Sequence, residues 1–143
     1  MSLYMIFNQL GLAGKALVVG VHAANPDSVV LCAGEPSKGN LVWSMREIPG
    51  TQLFFLKQEE SGLYARFADR SAPITLAKLD PQDRWFAMQL HDVGAGYVAI
   101  RNYEGSMAMG PRNGGRDDGT RIVGTPYAAQ PYQQWLFGPP TAI

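Results

Sequence analysis

The sequence is poor in the side chains from which catalytic and metal sites are usually built. Its 143 residues include one cysteine, Cys32, and two histidines, His22 and His91. A single cysteine cannot form a disulfide within the chain, and in the run VVLCAG we expect it to pack as a small apolar side chain. No Ser/His/Asp, Cys/His or HExxH arrangement is indicated. The sequence therefore predicts no enzymatic activity, no cofactor and no metal site.

An excess of charge of either sign is also missing. The 12 Lys and Arg residues balance the 12 Asp and Glu residues, and no basic cluster interrupts this balance. Proteins that bind nucleic acids or anionic membranes concentrate positive charge on one surface. We therefore expect neither nucleic acid nor a membrane as a partner.

Long hydrophobic runs are absent as well. No stretch of about 18 apolar residues could form a membrane-spanning helix. The apolar N-terminus MSLYMIFNQLGLAGKALVVG lacks a basic segment, and Asn8, Gln9 and Lys15 interrupt it. It is expected to form the first strands and not a signal peptide, which predicts a cytoplasmic protein or one secreted by a non-classical route.

The chain is instead rich in short apolar runs separated by turn residues. Its 16 glycines and 10 prolines are scattered and disfavour long helices. Turn segments such as NPDS, PSKGN and DVGAG separate runs that are rich in β-branched and aromatic residues. The predicted strands are YMIFNQ, ALVVGV, SVVLCAG, LVWSM, QLFFLKQ, LYARFA, ITLAKL, RWFAMQL, YVAIRNY, SMAMG, RIVGTP and QQWLFG. Twelve strands at roughly even spacing predict an all-β fold.

An internal repeat organises these strands. Three stretches read as a strand, a polar turn with glycine and a second strand, and each repeat continues through a third strand to a tryptophan. The aligned residues are Gly14, Gly62 and Gly105, which are 48 and 43 residues apart, and Trp43, Trp85 and Trp135, which are 42 and 50 residues apart. Three units are too few for a propeller. We predict one domain, 1–143, with four-strand repeats at about 1–48, 49–93 and 94–143.

The last repeat ends in a Gln-x-Trp motif, Gln133-Gln134-Trp135. With the threefold repeat, this motif resembles the ricin-B-like β-trefoil lectins, and the chain is similar to the small lectins of mushrooms, some of which are mannose-specific. The resemblance implies a β-trefoil with pseudo-threefold symmetry that binds glycans or glycoproteins without enzymatic activity. It also implies that Trp43, Trp85 and Trp135 fill a shared core, and that Gln133 hydrogen-bonds the backbone of its own repeat.

The family's galactose site combines an Asp on the second strand, an aromatic platform after the third strand and an Asn before the Gln-x-Trp. Here the Asp positions fall at about Val18, Arg66 and Met109, none of which accepts a hydrogen bond from a sugar. The resemblance therefore favours a mannose-type sugar over galactose. The other positions of the pattern hold Asn40 in the first repeat, and Tyr127 and Tyr132 in the third.

A polar loop in the third repeat is the leading candidate for the ligand site. The segment PRNGGRDDGTR, residues 111–121, supplies Asn113, Arg116, Asp117 and Asp118. Glycines let a ligand approach the backbone closely, and carboxylates and amides suit vicinal hydroxyls. The alternative is a solvated hairpin turn. A calcium site is disfavoured because the EF-hand spacing is missing. In addition, the positively charged Arg116 and Arg121 flank Asp117 and Asp118.

The corresponding loop of the first repeat, VHAANPDS, is the second candidate. It contains His22, Asn25 and Asp27, and Asn40 lies later in the same repeat. His22 could donate a hydrogen bond to a sugar hydroxyl, although a lone histidine near a turn is more often a surface group.

Two rival functions remain open, because a fold does not determine a function. One is a β-trefoil protease inhibitor that inserts NPDS or RNGGRDDGT into an active-site cleft. The other is a non-catalytic subunit that binds a protein partner through exposed apolar residues such as Phe54 or Phe86. A homodimer is also compatible with the sequence.

Overall fold

The computed structural model describes residues 3–9, 17–21, 28–33, 42–68, 72–115 and 119–138. Within these ranges the chain forms twelve β-strands, and the only helical elements are short 3₁₀ turns. The strands are β1 (Leu3–Asn8), β2 (Leu17–Val21), β3 (Val29–Ala33), β4 (Trp43–Glu47), β5 (Phe54–Gln58), β6 (Tyr64–Arg66), β7 (Thr75–Ala77), β8 (Met88–Gly94), β9 (Tyr97–Asn102), β10 (Ala108–Pro111), β11 (Ile122–Thr125) and β12 (Trp135–Gly138). Each overlaps one predicted run, which confirms the all-β prediction.

No helix in the described part of the chain is both long and apolar enough to cross a membrane.

Six of the strands close into a barrel. Antiparallel pairing runs from β1 to β4, β5, β8, β9 and β12, and β12 pairs with β1 again. The other six strands form three hairpins, β2–β3, β6–β7 and β10–β11. Each hairpin also pairs with the barrel strand that precedes it. A closed barrel leaves none of its six strands as an unpaired edge.

The register of the barrel repeats three times, as pseudo-threefold symmetry requires. The equivalent cross-strand pairs are Tyr4 with Trp43, Phe54 with Met88, and Val98 with Trp135. Four residues after the first member of each pair stands a buried polar side chain: Asn8, Gln58 and Asn102. Each of these amides makes a hydrogen bond to the backbone: Asn8 Nδ2 donates to the carbonyl oxygen of Tyr132 (2.9 Å), Gln58 Oε1 accepts from the N–H of Ser61 (2.8 Å), and Asn102 Oδ1 accepts from the N–H of Met107 (3.2 Å). The amides thus satisfy backbone groups where the barrel meets its turns.

Two tryptophans and a methionine occupy the equivalent core positions. Trp43, Met88 and Trp135 are all 0% exposed and belong to one apolar cluster. The indole Nε1 of Trp135 donates to the carbonyl oxygen of Met109 over 3.0 Å. A buried indole therefore contributes both apolar area and a satisfied donor to the core.

Trp85 does not take the third core position that the spacing of the tryptophans predicts. It lies in the 3₁₀ turn Arg84–Phe86 before β8, half-buried against the outside of the core, with its ring edge-on to Tyr103 at 6.0 Å. The equivalent turn in the third repeat is Pro131–Gln133. Trp85 therefore corresponds to Tyr132, and the alignment by tryptophans is offset by three residues in the second repeat. For the same reason Phe86 in the second repeat corresponds to Gln133 in the third.

The boundaries of β8 also differ from the prediction. The predicted run RWFAMQL begins in the 3₁₀ turn, whereas β8 begins at Met88 and continues to Gly94 through residues that read as a turn. The connection to β9 is only Ala95 and Gly96, both with positive φ (56° and 84°). This backbone conformation is typical of tight two-residue hairpin turns.

Phe54 and Phe86 do not form an exposed partner surface. They are 5% and 2% exposed, because Phe54 points into the barrel and Phe86 packs in a side cluster with Phe55 and Ala87. The exposed large apolar residues among the described positions are Leu3, Leu90 and Leu136.

An ion pair joins β6 to the turn before β8. Arg66 Nε donates to Asp83 Oδ2 over 2.9 Å, and the other carboxylate oxygen of Asp83 accepts from the N–H of Trp85. Partial burial by itself raises the pKa of Asp83, but the hydrogen bonds from Arg66 and Trp85 and the positive charge of Arg66 bring it below its ordinary value of 3.8. The ionised carboxylate therefore stabilises the fold.

We expect Asp83→Asn to lower the free energy of unfolding by about 1 kcal/mol at neutral pH, because it removes a partly buried ion pair. The native pKa is depressed, so this stabilisation is present above the unfolded pKa and disappears as the pH falls through the native pKa. Urea unfolding of both proteins at neutral pH and at about pH 2 measures the difference. A difference of equal size at both pH values would contradict the role of the carboxylate charge.

Candidate functional site

The loop that follows β10 begins with a tight, exposed turn. Residues Arg112–Gly114 form this turn, in which Asn113 has a left-handed backbone (φ 54°, ψ 27°). The N–H of Gly115 donates to the carbonyl oxygen of Arg112, and the N–H of Arg112 donates to that of Arg121 across the base of the loop. Asn is one of the few residues other than Gly that tolerates this conformation. The turn thus presents the Asn113 amide at the surface.

The ring of Tyr132 supports this turn from below. A Cβ added to Gly110 would lie 3.4 Å from one ring carbon of Tyr132, and a Cβ added to Gly114 would lie 3.2 Å from another. The tyrosine ring therefore lies directly against Gly110, which precedes the turn, and Gly114, which ends it. The side chain of Asn8 fixes the tyrosine backbone through its hydrogen bond to the carbonyl oxygen. In this arrangement Tyr132 is a support for the loop.

Tyr127 lies on the outward face of the barrel, half-buried. The guanidinium carbon of Arg101 is 5.4 Å from the centroid of its ring, and the ring of His91 meets it edge-on at 6.2 Å. Gln134 Nε2 donates to the tyrosine hydroxyl over 3.2 Å. The predicted aromatic platform therefore carries a cation against its ring.

Gln133 holds the segment that contains Tyr127. Its Oε1 accepts from the N–H of Ala128 over 2.8 Å, and its Nε2 donates to the carbonyl oxygen of Pro126 and to the hydroxyl of Thr125. The side chain is 1% exposed. These bonds clamp the backbone on both sides of Tyr127, so the platform is fixed relative to the core.

The described positions of the galactose pattern do not assemble an acceptor for a sugar. Met109 is 1% exposed in the core, and Arg66 is held by Asp83. The remaining predicted ligand residues lie outside the described ranges: His22, Asn25, Asp27, Asn40, Arg116, Asp117 and Asp118. Their roles stay predictions. Among the described residues no group of three or more His, Cys, Asp or Glu side chains could hold a metal ion.

Sequence reasoning missed three neighbours of Tyr127, namely Arg101, His91 and Gln134. Arg101 pairs with Gln89 in the β8–β9 register and His91 pairs with Ala99. Ile100, between Ala99 and Arg101, points into the core, so these two pairs lie on the outward face of the hairpin. The alternation of side chains along β9 was the signal that could have placed Arg101 outward. No local pattern in the sequence indicates that Tyr127, which follows β11, lies against these residues.

Solved structures that share this architecture identify the fold. A designed 3-fold symmetric protein, ThreeFoil, superimposes with a TM-score of 0.79 at 20% identity, over 94% of this chain and 96% of its own. The fold is a β-trefoil. The trefoil of the Macrolepiota procera ricin B-like lectin, solved in complex with lactose, matches with a TM-score of 0.81 at 14% identity, over 96% of this chain and 95% of its own.

A β-trefoil of this kind also occurs within a longer chain. A mosquitocidal holotoxin matches with a TM-score of 0.82 at 16% identity, and the match spans 95% of this chain but 17% of the toxin. No protein-family model and no curated protein matches the sequence. The structural matches confirm the resemblance to ricin-B-like β-trefoils at the level of the fold.

Proposed function

We propose that this β-trefoil is a lectin that binds neutral sugars without enzymatic activity, through the loop of its third repeat. The observation that carries the proposal is the exposed turn at Asn113, which stands on the rigid support of Tyr132. Pre-organisation matters because a turn whose backbone is already fixed loses less entropy when a ligand binds. The lactose complex of the Macrolepiota procera lectin supports carbohydrate binding as the function.

The chemistry of this loop suits a sugar. A neutral sugar offers hydroxyl groups that both donate and accept hydrogen bonds, and the Asn113 amide does both. The predicted acceptors Asp117 and Asp118 follow in the same loop, and carboxylates accept from pairs of vicinal hydroxyls.

A mannose-type ligand is proposed over galactose. The galactose pattern requires an acceptor that Met109 and Arg66 do not supply, since the former is a core residue and the latter is a paired cation.

The burial of Phe54 and Phe86 also removes the apolar surface that favoured a protein-binding subunit.

A glycan array probed with labelled protein tests the proposal. We expect the wild type to bind mannose-terminated glycans more strongly than galactose-terminated ones. Asn113→Ala and the double variant Asp117→Ala/Asp118→Ala should each weaken binding roughly 5- to 10-fold, the usual effect of losing one or two hydrogen bonds. Lys78→Ala, an exposed change beyond β7 in the second repeat, is the matched control and should bind like the wild type.

Two outcomes would change the conclusion. If the third-repeat variants bind normally but Asn25→Ala or Asn40→Ala does not bind, the site lies in the first repeat. If no glycan is bound even at high protein density, where repeated weak sites reinforce each other, the lectin proposal is wrong.

A further inference from the structure

Arg101 is a half-buried cation that no described acid neutralises. It extends outward from near the end of β9, opposite Gln89 on β8 and Ala108 on β10. Among the described residues the ion pairs are Lys57–Glu59 and Arg66–Asp83, and Arg101 belongs to neither. Its Nε atom is buried and makes no hydrogen bond within the described structure. A buried polar group without a partner is rare in native proteins and calls for an explanation.

The side chain of Arg101 is held in place by its aromatic neighbour. Its guanidinium lies 5.4 Å from the centre of the Tyr127 ring, within the range of a cation–π interaction. Gln134 holds the hydroxyl of Tyr127, and Gln133 clamps the backbone around it. The cation is therefore oriented before any ligand binds.

Arg84 provides a comparison, because its guanidinium also stacks on a tyrosine ring. Arg84 lies 5.1 Å from the ring of Tyr103, but Arg84 is exposed and none of its nitrogens is buried without a partner. Water can therefore reach the nitrogens of that guanidinium. Arg101 differs from it because part of its charged group is withdrawn from water and unpaired.

The ring of His91 lies beside the same tyrosine and is exposed. Its imidazole adds a hydrogen-bond donor next to the cation on the outward face of the β8–β9 hairpin. An arginine and a histidine converge on one platform, which suits a single anionic group. The balanced charge of the whole chain gives no extended basic surface for a polyanion.

We propose that Arg101, His91 and Tyr127 form a subsite for an acidic sugar, with the anionic substituent bound by Arg101. This inference rests on the proposed lectin function and adds the class of glycan that the third repeat prefers. The planar guanidinium matches the two oxygens of a carboxylate, and a sulfate ester presents the same kind of oxygens.

Titration of the isotope-labelled protein with methyl glucuronide tests the subsite by NMR. The Nε–H of Arg101 is buried, so its signal reports directly on the guanidinium. We expect methyl glucuronide to shift this signal and to bind at least 10-fold more tightly than methyl glucoside, which lacks the charge. Glucose 6-sulfate serves as a second acidic ligand. Weaker binding than the glucuronide indicates a site for carboxylates, and equal binding indicates a site for either acidic substituent.

Three variants separate the subsite from a structural role of Arg101. Arg101→Gln should remove the preference for the glucuronide, and Arg101→Lys should retain part of it because the charge remains without the planar fork. Arg84→Gln, which disrupts the other arginine–tyrosine stack, should leave the preference intact. If the Arg101→Gln variant does not fold, the ligand preference of Arg101→Lys and the shift of the wild-type Nε–H signal still test the subsite.

The results distinguish this inference from the lectin proposal. Neutral glycans that bind the array while methyl glucuronide leaves the Arg101 signal unchanged would overturn the acidic subsite alone. Sulfate or phosphate ions that bind as tightly as the glucuronide would overturn it too, by showing a general anion site. Retained binding of neutral mannose glycans by Arg101→Gln, together with loss of the glucuronide preference, supports both proposals.

Discussion

Replacing Trp135 with alanine is expected to lower the free energy of unfolding by about 4 kcal/mol. The indole is fully buried at the start of β12, where it fills the core beside Trp43 and donates to the carbonyl oxygen of Met109. Alanine leaves a cavity and a buried carbonyl without its partner, and both effects are unfavourable. Urea unfolding monitored by circular dichroism gives the difference.

Trp85→Ala is the matched control for this prediction. Because Trp85 is half-buried on a 3₁₀ turn outside the barrel, its loss should lower the free energy of unfolding by about 1 to 2 kcal/mol. Equal losses in the two variants would mean that Trp85 and Trp135 hold equivalent core positions after all.

Ending the chain after Gly124 is expected to abolish cooperative folding. The truncation removes β12, which lies between β1 and β9 in the barrel and pairs with both. It also removes Trp135 and the clamp formed by Gln133. The barrel then has two unpaired edges and an open core, and both are expected to unfold a domain of this size.

Thermal melting followed by circular dichroism, together with the dispersion of NMR signals, measures this effect. A chain that ends after Gly138 keeps all twelve strands and serves as the control. A soluble fragment ending at Gly124 that melts cooperatively would show that β12 is dispensable, contrary to its central place in the barrel.

The positions of the strands could be read from the sequence because their signals are local. A run such as ITLAKL between turn residues has strand propensity regardless of its partner, and the structure places β7 (Thr75–Ala77) inside it. The same local reading placed the start of β8 too early, because the 3₁₀ turn Arg84–Phe86 has no distinctive composition.

The equivalence of residues between repeats could not be read in the same way. The spacing of the tryptophans aligns Trp85 with Trp43 and Trp135, whereas the barrel register assigns Met88 to that position. Methionine fills the core space through its flexible side chain, so the position does not require an aromatic ring. Register depends on pairing between strands and not on residue type.

The candidate site was predictable only in part. Tyr127 follows the third strand of its repeat, so its place along the chain indicated a platform. Its contact with Arg101 joins segments that are distant in sequence and depends on the β9 register. The sequence predicts Tyr132 as a ligand residue. Its packing against Gly110 and Gly114 could not be predicted, because it depends on how closely these segments approach in the fold.

The pairing of β1 with β12 has a consequence for synthesis of the protein. Strand β1 is made before the other eleven strands, but its partner, Trp135–Gly138, is made last of the twelve. At 5–20 residues per second this delay is roughly ten seconds. During that time one edge of β1 has unpaired backbone groups, and contacts of such long range also slow folding. We therefore expect the barrel to close only after β12 has been made, unlike a barrel whose neighbouring strands all pair in order of synthesis.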